Sequence, residues 1–311
     1  MKGHVLPNYR IAVVGAGAVG SYYGGRLAEH GRDVHFLLRS DFEHVRKRGL
    51  RVTSKHGNFH LQGVNAYRES ADIGPVDLVL IALKTTSNEA LLEILPPLLH
   101  EHTALLTLQN GLGSDRFLAE HFGAQRVMGG LCFVCINRTA PGVIEHSASG
   151  QIALGEYEGY LQPRTHEIAS EFKRCGVTCT IEKSLAAAQW RKLVWNIPFN
   201  GLSIAAGGID TERILASDDL SYLVKQLMRE IIAAAGMLGH EIPVSLIETM
   251  MTNTKAMNAY RPSSLIDFQE GREVEVETIW GEPVRQAFNA GAEVGRMESL
   301  YRTVRHLVAT R

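Results

Sequence analysis

Six consecutive residues, Gly15, Ala16, Gly17, Ala18, Val19 and Gly20, form a G-x-G-x-x-G string near the front of the chain. That spacing can hold a pyrophosphate. The first glycine permits a tight turn, the second lets backbone approach the phosphates, and the third lets a helix pack close to a sheet. The first N–H groups of that helix, at its positive dipole end, would face the phosphates. An apolar run precedes the string, an amphipathic stretch follows it, and a second apolar run ends in LLRS. This strand–helix–strand setting is what a dinucleotide site requires. An NAD-preferring site usually carries Asp or Glu roughly 20 residues on, against the ribose 2′-hydroxyl. Here Arg39 ends the second run. A guanidinium can grip a 2′-phosphate with paired hydrogen bonds, so the expected cofactor is NADP(H). Asp41 is the nearby carboxylate that argues the other way.

A second group lies far along the chain. WRKLVWNIPFNGL spaces Lys192, Asn196 and Asn200 four apart, along one slowly drifting helix face. Trp190, Leu193, Val194, Ile197 and Phe199 cover the other faces, so the helix is expected to be buried. A lysine and two asparagines on a buried helix need partners or a ligand. Pro198 frees the carbonyl of Val194 within the same run. TLQNGLGS puts Asn110 at the carboxyl end of one expected strand, and LKTTSN puts Lys84 at the end of another. Open α/β sheets bind ligands at such ends. Further on stand Ser263, Ser264, Asp267 and Glu275.

The elements that must position these groups change character midway. Periodicity predicts strands over 10–14, 34–38, 77–83, 103–110 and 177–181. Helices are predicted over 18–30, 114–122 and 163–174, and through SNEALLEILPPLL. Between 125 and 155, β segments are broken by APG and ASG turns. Beyond 184 the strand signals stop, and helices are predicted over 185–205, 217–238, 244–257 and from 274 to near the C-terminus. The expected fold is α/β: a doubly wound Rossmann-type NADP-binding domain over 1–182, then an all-helical substrate-binding domain over 183–311. Such a domain suggests a lid over a shared cleft.

The 311 residues are 45% hydrophobic and 21% charged with net charge -1, an ordinary globular profile that favours neither nucleic acid nor an anionic membrane. No apolar run approaches a membrane span, and MKGHVLPNYR lacks a signal-peptide core, so a cytoplasmic protein is expected. Cys132 and Cys135 form C-x-x-C, with Cys175 and Cys179 further on. Residues three apart on a strand point to opposite faces, so reduced thiols are expected and no metal.

In order along the chain, GAGAVG, LKTTSN, QNGLGS, PGVIEH, WRKLVWNIPFN and SSLIDFQEGREVEVETIWG make a set that resembles the ketopantoate reductases. The resemblance covers nearly the whole chain. It implies NADPH-dependent reduction of 2-dehydropantoate to pantoate, in pantothenate and coenzyme A biosynthesis, by a monomer or homodimer. It implies that Lys192 is the general acid and that Glu275 orients the site. Asn110 would sit between nicotinamide and substrate. Asn196 and Asn200 would contact the substrate's hydroxyl end, Ser264 (or its neighbour Ser263) its carboxylate, and Arg39 and Lys84 would lie near the 2′-phosphate. Gly201 and Asp210 depart from the family pattern. Reduction of another 2-oxo acid or ketone, and a non-catalytic NADP-binding sensor, are the alternatives.

Overall fold

The first apolar run folds as β1 (Arg10–Val14), buried from Ile11 onward. The computed structural model describes residues 9–311, which form two compact units. One runs to Gln109 and includes Ser114–Leu185; the other comprises Asn110–Gly113 and Ala186–Arg311.

In the first unit β1 is followed by α1 (Ala18–Glu29), β2 (Asp33–Leu37), α2 (Phe42–Arg48), β3 (Leu50–Ser54), β4 (Phe59–Leu61), β5 (Asn65–Tyr67) and β6 (Leu78–Ile81). Next come α3 (Leu91–Ile94), β7 (Ala104–Thr107), α4 (Ser114–Phe122), β8 (Val127–Ala140), β9 (Val143–Glu156), α5 (Pro163–Arg174) and β10 (Cys179–Ile181). All ten strands share one sheet, in the order β4-β3-β9-β8-β7-β6-β1-β2-β5, with β10 also on β9. Neighbours from β5 through to β8 are parallel. The chain lays β2 and β5 on one side of β1, then returns to place β6, β7 and β8 on the other. The strand order therefore reverses between β1 and β6, where open sheets form a ligand crevice at the strands' carboxyl ends.

Apart from Arg10 and Thr107, the residues of β1, β6 and β7 are all apolar. Ile11, Val13, Leu78, Leu80 and Leu106 enter one core, while Ala12, Val14, Val79, Ile81 and Leu105 enter another. Alternate residues thus face opposite sides of a sheet covered on both faces. All four cysteines are buried, and none is in a disulfide.

Two expectations for this unit are corrected. The ASG turn does not break a strand: Phe133 pairs with Gln151 and Val134 with Ser149, leaving Gly150 unmatched inside β9. Ser149 and Gly150 take φ of 60° and 117°, a bulge that β8 spans without interruption. The helix expected through SNEALLEILPPLL is only the single turn α3, between 3-10 turns at Thr85–Ala90 and Pro96–Leu98. Pro96 and Pro97 lack the N–H groups to extend it. α2 and the short strands β3, β4 and β5 had no sequence expectation.

The second unit has no strand among the described residues. It contains α6 (Leu185–Ala205), whose first residue belongs to the other unit. The rest are α7 (Thr211–Ala216), α8 (Asp218–Met237), α9 (Leu246–Lys255), α10 (Ser263–Gln269), α11 (Glu282–Asn289) and α12 (Gly295–Ala309). Burial of Val224, Leu227, Met228 and Ile231 on α8 follows the helical period. Trp190, Leu193, Val194, Ile197 and Phe199 of α6 pack into the same core as Trp280 and α12. The long helix expected from 274 is interrupted twice. A π turn at Glu277–Gly281 precedes α11, and Gly291, at φ +80°, ends it. No helix among the described residues is long and apolar enough to cross a membrane.

Candidate active site

In the first unit, the chain leaves β1 at Gly15 with φ +94°. A Cβ there would lie 2.4 Å from the Leu83 nitrogen, just beyond β6, so both space and backbone demand glycine. At Gly20 a Cβ would lie 2.3 Å from the Gly15 carbonyl oxygen. Gly17 is different, for a Cβ there would meet nothing within 4 Å. It precedes Ala18 and Val19 in the first turn of α1, which has neither a side-chain cap nor an acidic residue. Ser21 Oγ donates to the Ala16 carbonyl at 2.9 Å and fixes the turn. Open space before uncapped N–H groups, at the point where strand order reverses, fits a dinucleotide pyrophosphate.

Arg39 follows β2 and is exposed. Asp41 does not compete with it for a ribose, because its carboxylate is already engaged. Asp41 is 4% exposed and accepts from the Gly142 N–H at 3.0 Å, Arg138 Nη1 at 2.5 Å and Ser40 Oγ at 2.9 Å. Burial works to raise its pKa, but these hydrogen bonds prevail and hold the carboxyl below its ordinary value. Lys84 is half-buried, directly after Leu83. Gln109 stands beside Asn110 in QNGLGS, and nothing local in the sequence discloses its part. Its Nε2 donates to the Leu83 carbonyl at 2.9 Å and to Asn88 Oδ1 at 2.8 Å, bracing the loop that carries Lys84.

In the second unit, Lys192 Nζ donates to Asn110 Oδ1 at 2.9 Å. Both residues are half-buried. Asn110 reaches this unit because Gly111, at φ +83°, lies against the π turn. The Leu112 N–H donates to the Thr278 carbonyl at 2.9 Å, and a Cβ on Gly111 would lie 2.3 Å from that oxygen. Thr278 is thus another residue whose part the sequence did not disclose, since nothing local marks a π turn. Glu275 is half-buried immediately ahead of that turn, and its carbonyl accepts from the Ile279 N–H.

Asn196 and Asn200 connect this region to α10. Asn200 is buried, donates from Nδ2 to the Asn196 carbonyl at 3.0 Å and accepts the Ser264 N–H at 3.1 Å. It therefore caps a free N–H at the start of α10. Ser264 is buried whereas Ser263 is exposed. Asp267 is paired with Arg272 at 2.9 Å. Asp210 caps α7, accepting the Arg213 N–H at 2.9 Å. Gly201 packs so near Trp280 and Leu300 that a Cβ would fall 2.7 Å from Leu300.

The sequence agrees with known proteins along nearly its whole length. Residues 11–159 match the family model described as ketopantoate reductase PanE/ApbA, and residues 184–308 match its C-terminal companion. A 2-dehydropantoate 2-reductase of Nostoc sp. is 42% identical over 303 residues, covering 96% of this chain and 95% of the relative. The crystal structure of 2-dehydropantoate 2-reductase from Geobacter metallireducens superposes with TM-score 0.94 at 43% identity, over 96% of this chain and 99% of that one. The Methylococcus capsulatus enzyme gives 0.88 at 33%, over 96% of each chain. With a glycine turn built for a pyrophosphate, a lysine–asparagine pair in the helical unit, and both family models matched, this chain belongs to the ketopantoate reductase family.

Proposed function

We propose that the protein reduces 2-dehydropantoate to pantoate with NADPH. The single observation that carries this reading is the Lys192–Asn110 hydrogen bond, supported by the 42% identity to a 2-dehydropantoate 2-reductase. Gly15–Gly20 would hold the pyrophosphate, with Arg39 and Lys84 at the 2′-phosphate. When bound, the nicotinamide supplies the hydride to the 2-oxo carbon. As the carbonyl electron pair moves onto oxygen, the Lys192 ammonium stabilises the growing charge and gives that oxygen its proton. Solvent then reprotonates the amine. Asn110 Oδ1 aims the ammonium, and Glu275 orients the site. Ser264, held by Asn200, meets the substrate carboxylate. Asn196 contacts the hydroxyl end together with the second amide hydrogen of Asn200.

On this reading residues 1–182 are the NADP-binding domain and 183–311 the substrate-binding domain of a cytoplasmic monomer or homodimer. The test is NADPH and NADH oxidation with a panel of 2-oxo acids. Fastest turnover with 2-dehydropantoate is expected. Faster turnover of a different 2-oxo acid would reassign the substrate. NADPH binding without turnover of any would make the protein a sensor.

A further inference from the structure

Arg138 lies near the far end of β8, 97 positions from Asp41, yet its Nη1 is 2.5 Å from the Asp41 carboxylate and 3.4 Å from Ser40 Oγ. The contact is built into the fold. Gly142, in the turn between β8 and β9, donates to Asp41 and accepts the Arg51 N–H at 2.9 Å. A Cβ on Gly142 would lie 2.9 Å from His44 and 3.1 Å from the Gly49 carbonyl, so the hairpin turn is seated against α2 and its end. The acidic residue of α2 itself, Glu43, pairs with Arg68 and Lys47. Three charges are therefore concentrated at the exit of β2: Arg39, Asp41 and Arg138.

We propose that Arg138 is a cofactor-specificity residue, which cancels the Asp41 carboxylate beside Arg39 and so lets the turn after β2 accept a 2′-phosphate. This rests on the NADPH reading above. Asp41 stays ionised, because its hydrogen bonds favour the anion. Alone, it would offset Arg39 and repel a phosphate carrying nearly two negative charges. Paired with Arg138, it leaves the turn with one net positive charge. An uncancelled unit charge within a Debye length of such a phosphate would weaken its binding roughly 5- to 30-fold. A cofactor without the 2′-phosphate would be almost indifferent to it.

The test is equilibrium binding of NADPH and of NADH to the full chain, followed by ligand fluorescence. It compares the wild type with Arg138→Gln, Arg138→Lys, Asp41→Asn and the Arg138→Gln/Asp41→Asn double variant. Thermal melts establish that each is folded. Arg138→Gln should lose NADPH affinity by roughly that 5- to 30-fold factor while NADH stays within about twofold. Arg138→Lys, which keeps the charge, should lie nearer the wild type. Removing the carboxylate as well should restore NADPH binding to within about threefold of the wild type, since Arg39 again leaves one net positive charge. An unchanged NADPH-to-NADH ratio in Arg138→Gln overturns the proposal, as does equal weakening of both cofactors. A double variant as weak as Arg138→Gln overturns charge cancellation, since Arg138 would then touch the phosphate itself. A wild type that prefers NADH defeats the underlying cofactor reading instead.

Discussion

Lys192 Nζ hydrogen-bonds Asn110 Oδ1 at 2.9 Å across 82 positions of sequence. Asn110 lies just beyond β7, and its packing belongs to the helical unit, with Gly111 set on the Thr278 carbonyl and Leu112 in the helical core. The ammonium is thereby held by a neutral acceptor. One of its three N–H bonds is engaged by Asn110, and its direction is set before a substrate arrives.

Replacing Lys192 with alanine should lower turnover by roughly 10²–10⁴-fold, the usual worth of general acid catalysis. NADPH affinity should be nearly intact, because the pyrophosphate site is the glycine turn of the other unit. Retention of most turnover by a folded Lys192→Ala protein would sink the assignment. Loss of NADPH binding would make this a phosphate-contacting lysine.

Gly111→Ala tests how Asn110 is positioned. The new Cβ would be forced to 2.3 Å from the Thr278 oxygen at φ +83°, so the turn must move. A stability loss of about 1–3 kcal/mol is expected, together with lower turnover and unchanged NADPH affinity. Turnover and melting temperature both equal to wild type would show that the seating of Gly111 has no bearing on Lys192.

Arg39 should be worth one charge-assisted contact to the 2′-phosphate. Arg39→Ala is expected to raise the Michaelis constant for NADPH roughly 10- to 100-fold, as loss of a hydrogen bond to a charged group typically does, with little change for NADH. If the NADPH preference survives, the credit passes to Lys84.

A pH dependence follows from His146. Its Nε2 lies 2.9 Å from the Ala148 carbonyl, which only accepts, so Nε2 carries the proton and Nδ1 accepts from Ser54 Oγ at 2.8 Å. Burial holds its pKa below the ordinary 6.5, the charges of His56 and Lys55 adding to the effect. Between the folded value and 6.5 the unfolded chain binds more protons, so stability falls as pH drops below about 6.5 and levels off beneath the folded value. Melting temperatures from pH 7.5 to 5 should decline less steeply in His146→Asn than in the wild type. His240, lowered by burial too, acts equally in both proteins. Parallel slopes would exclude His146 as the source.

Much was legible because its causes are local. β1, α4, α5 and α6 have the bounds that periodicity predicts, since a strand or helix advertises its buried face every 2 or 3.6 residues. Gly15 could be assigned to a tight turn and Gly20 to close packing of the helix on the sheet, because a Cβ at either position would collide with backbone. Where competing local terms nearly balance, sequence misled: α3 is cut to one turn by Pro96 and Pro97, and the ASG segment stays within β9 because β8 pairs on both sides of it.

By itself, then, the sequence determined the change from α/β alternation to helix, the glycine turn, and the types and spacing of Lys192, Asn196 and Asn200. Only the tertiary structure decided which groups are already engaged. Asp41 is bound by Arg138, Asn200 caps α10 through Ser264, Asp210 caps α7, and Asn110 belongs with Lys192. These pairings depend on where packing brings distant segments together, and a hydrogen bond reaching about 3 Å leaves no periodic trace in the residues between its partners.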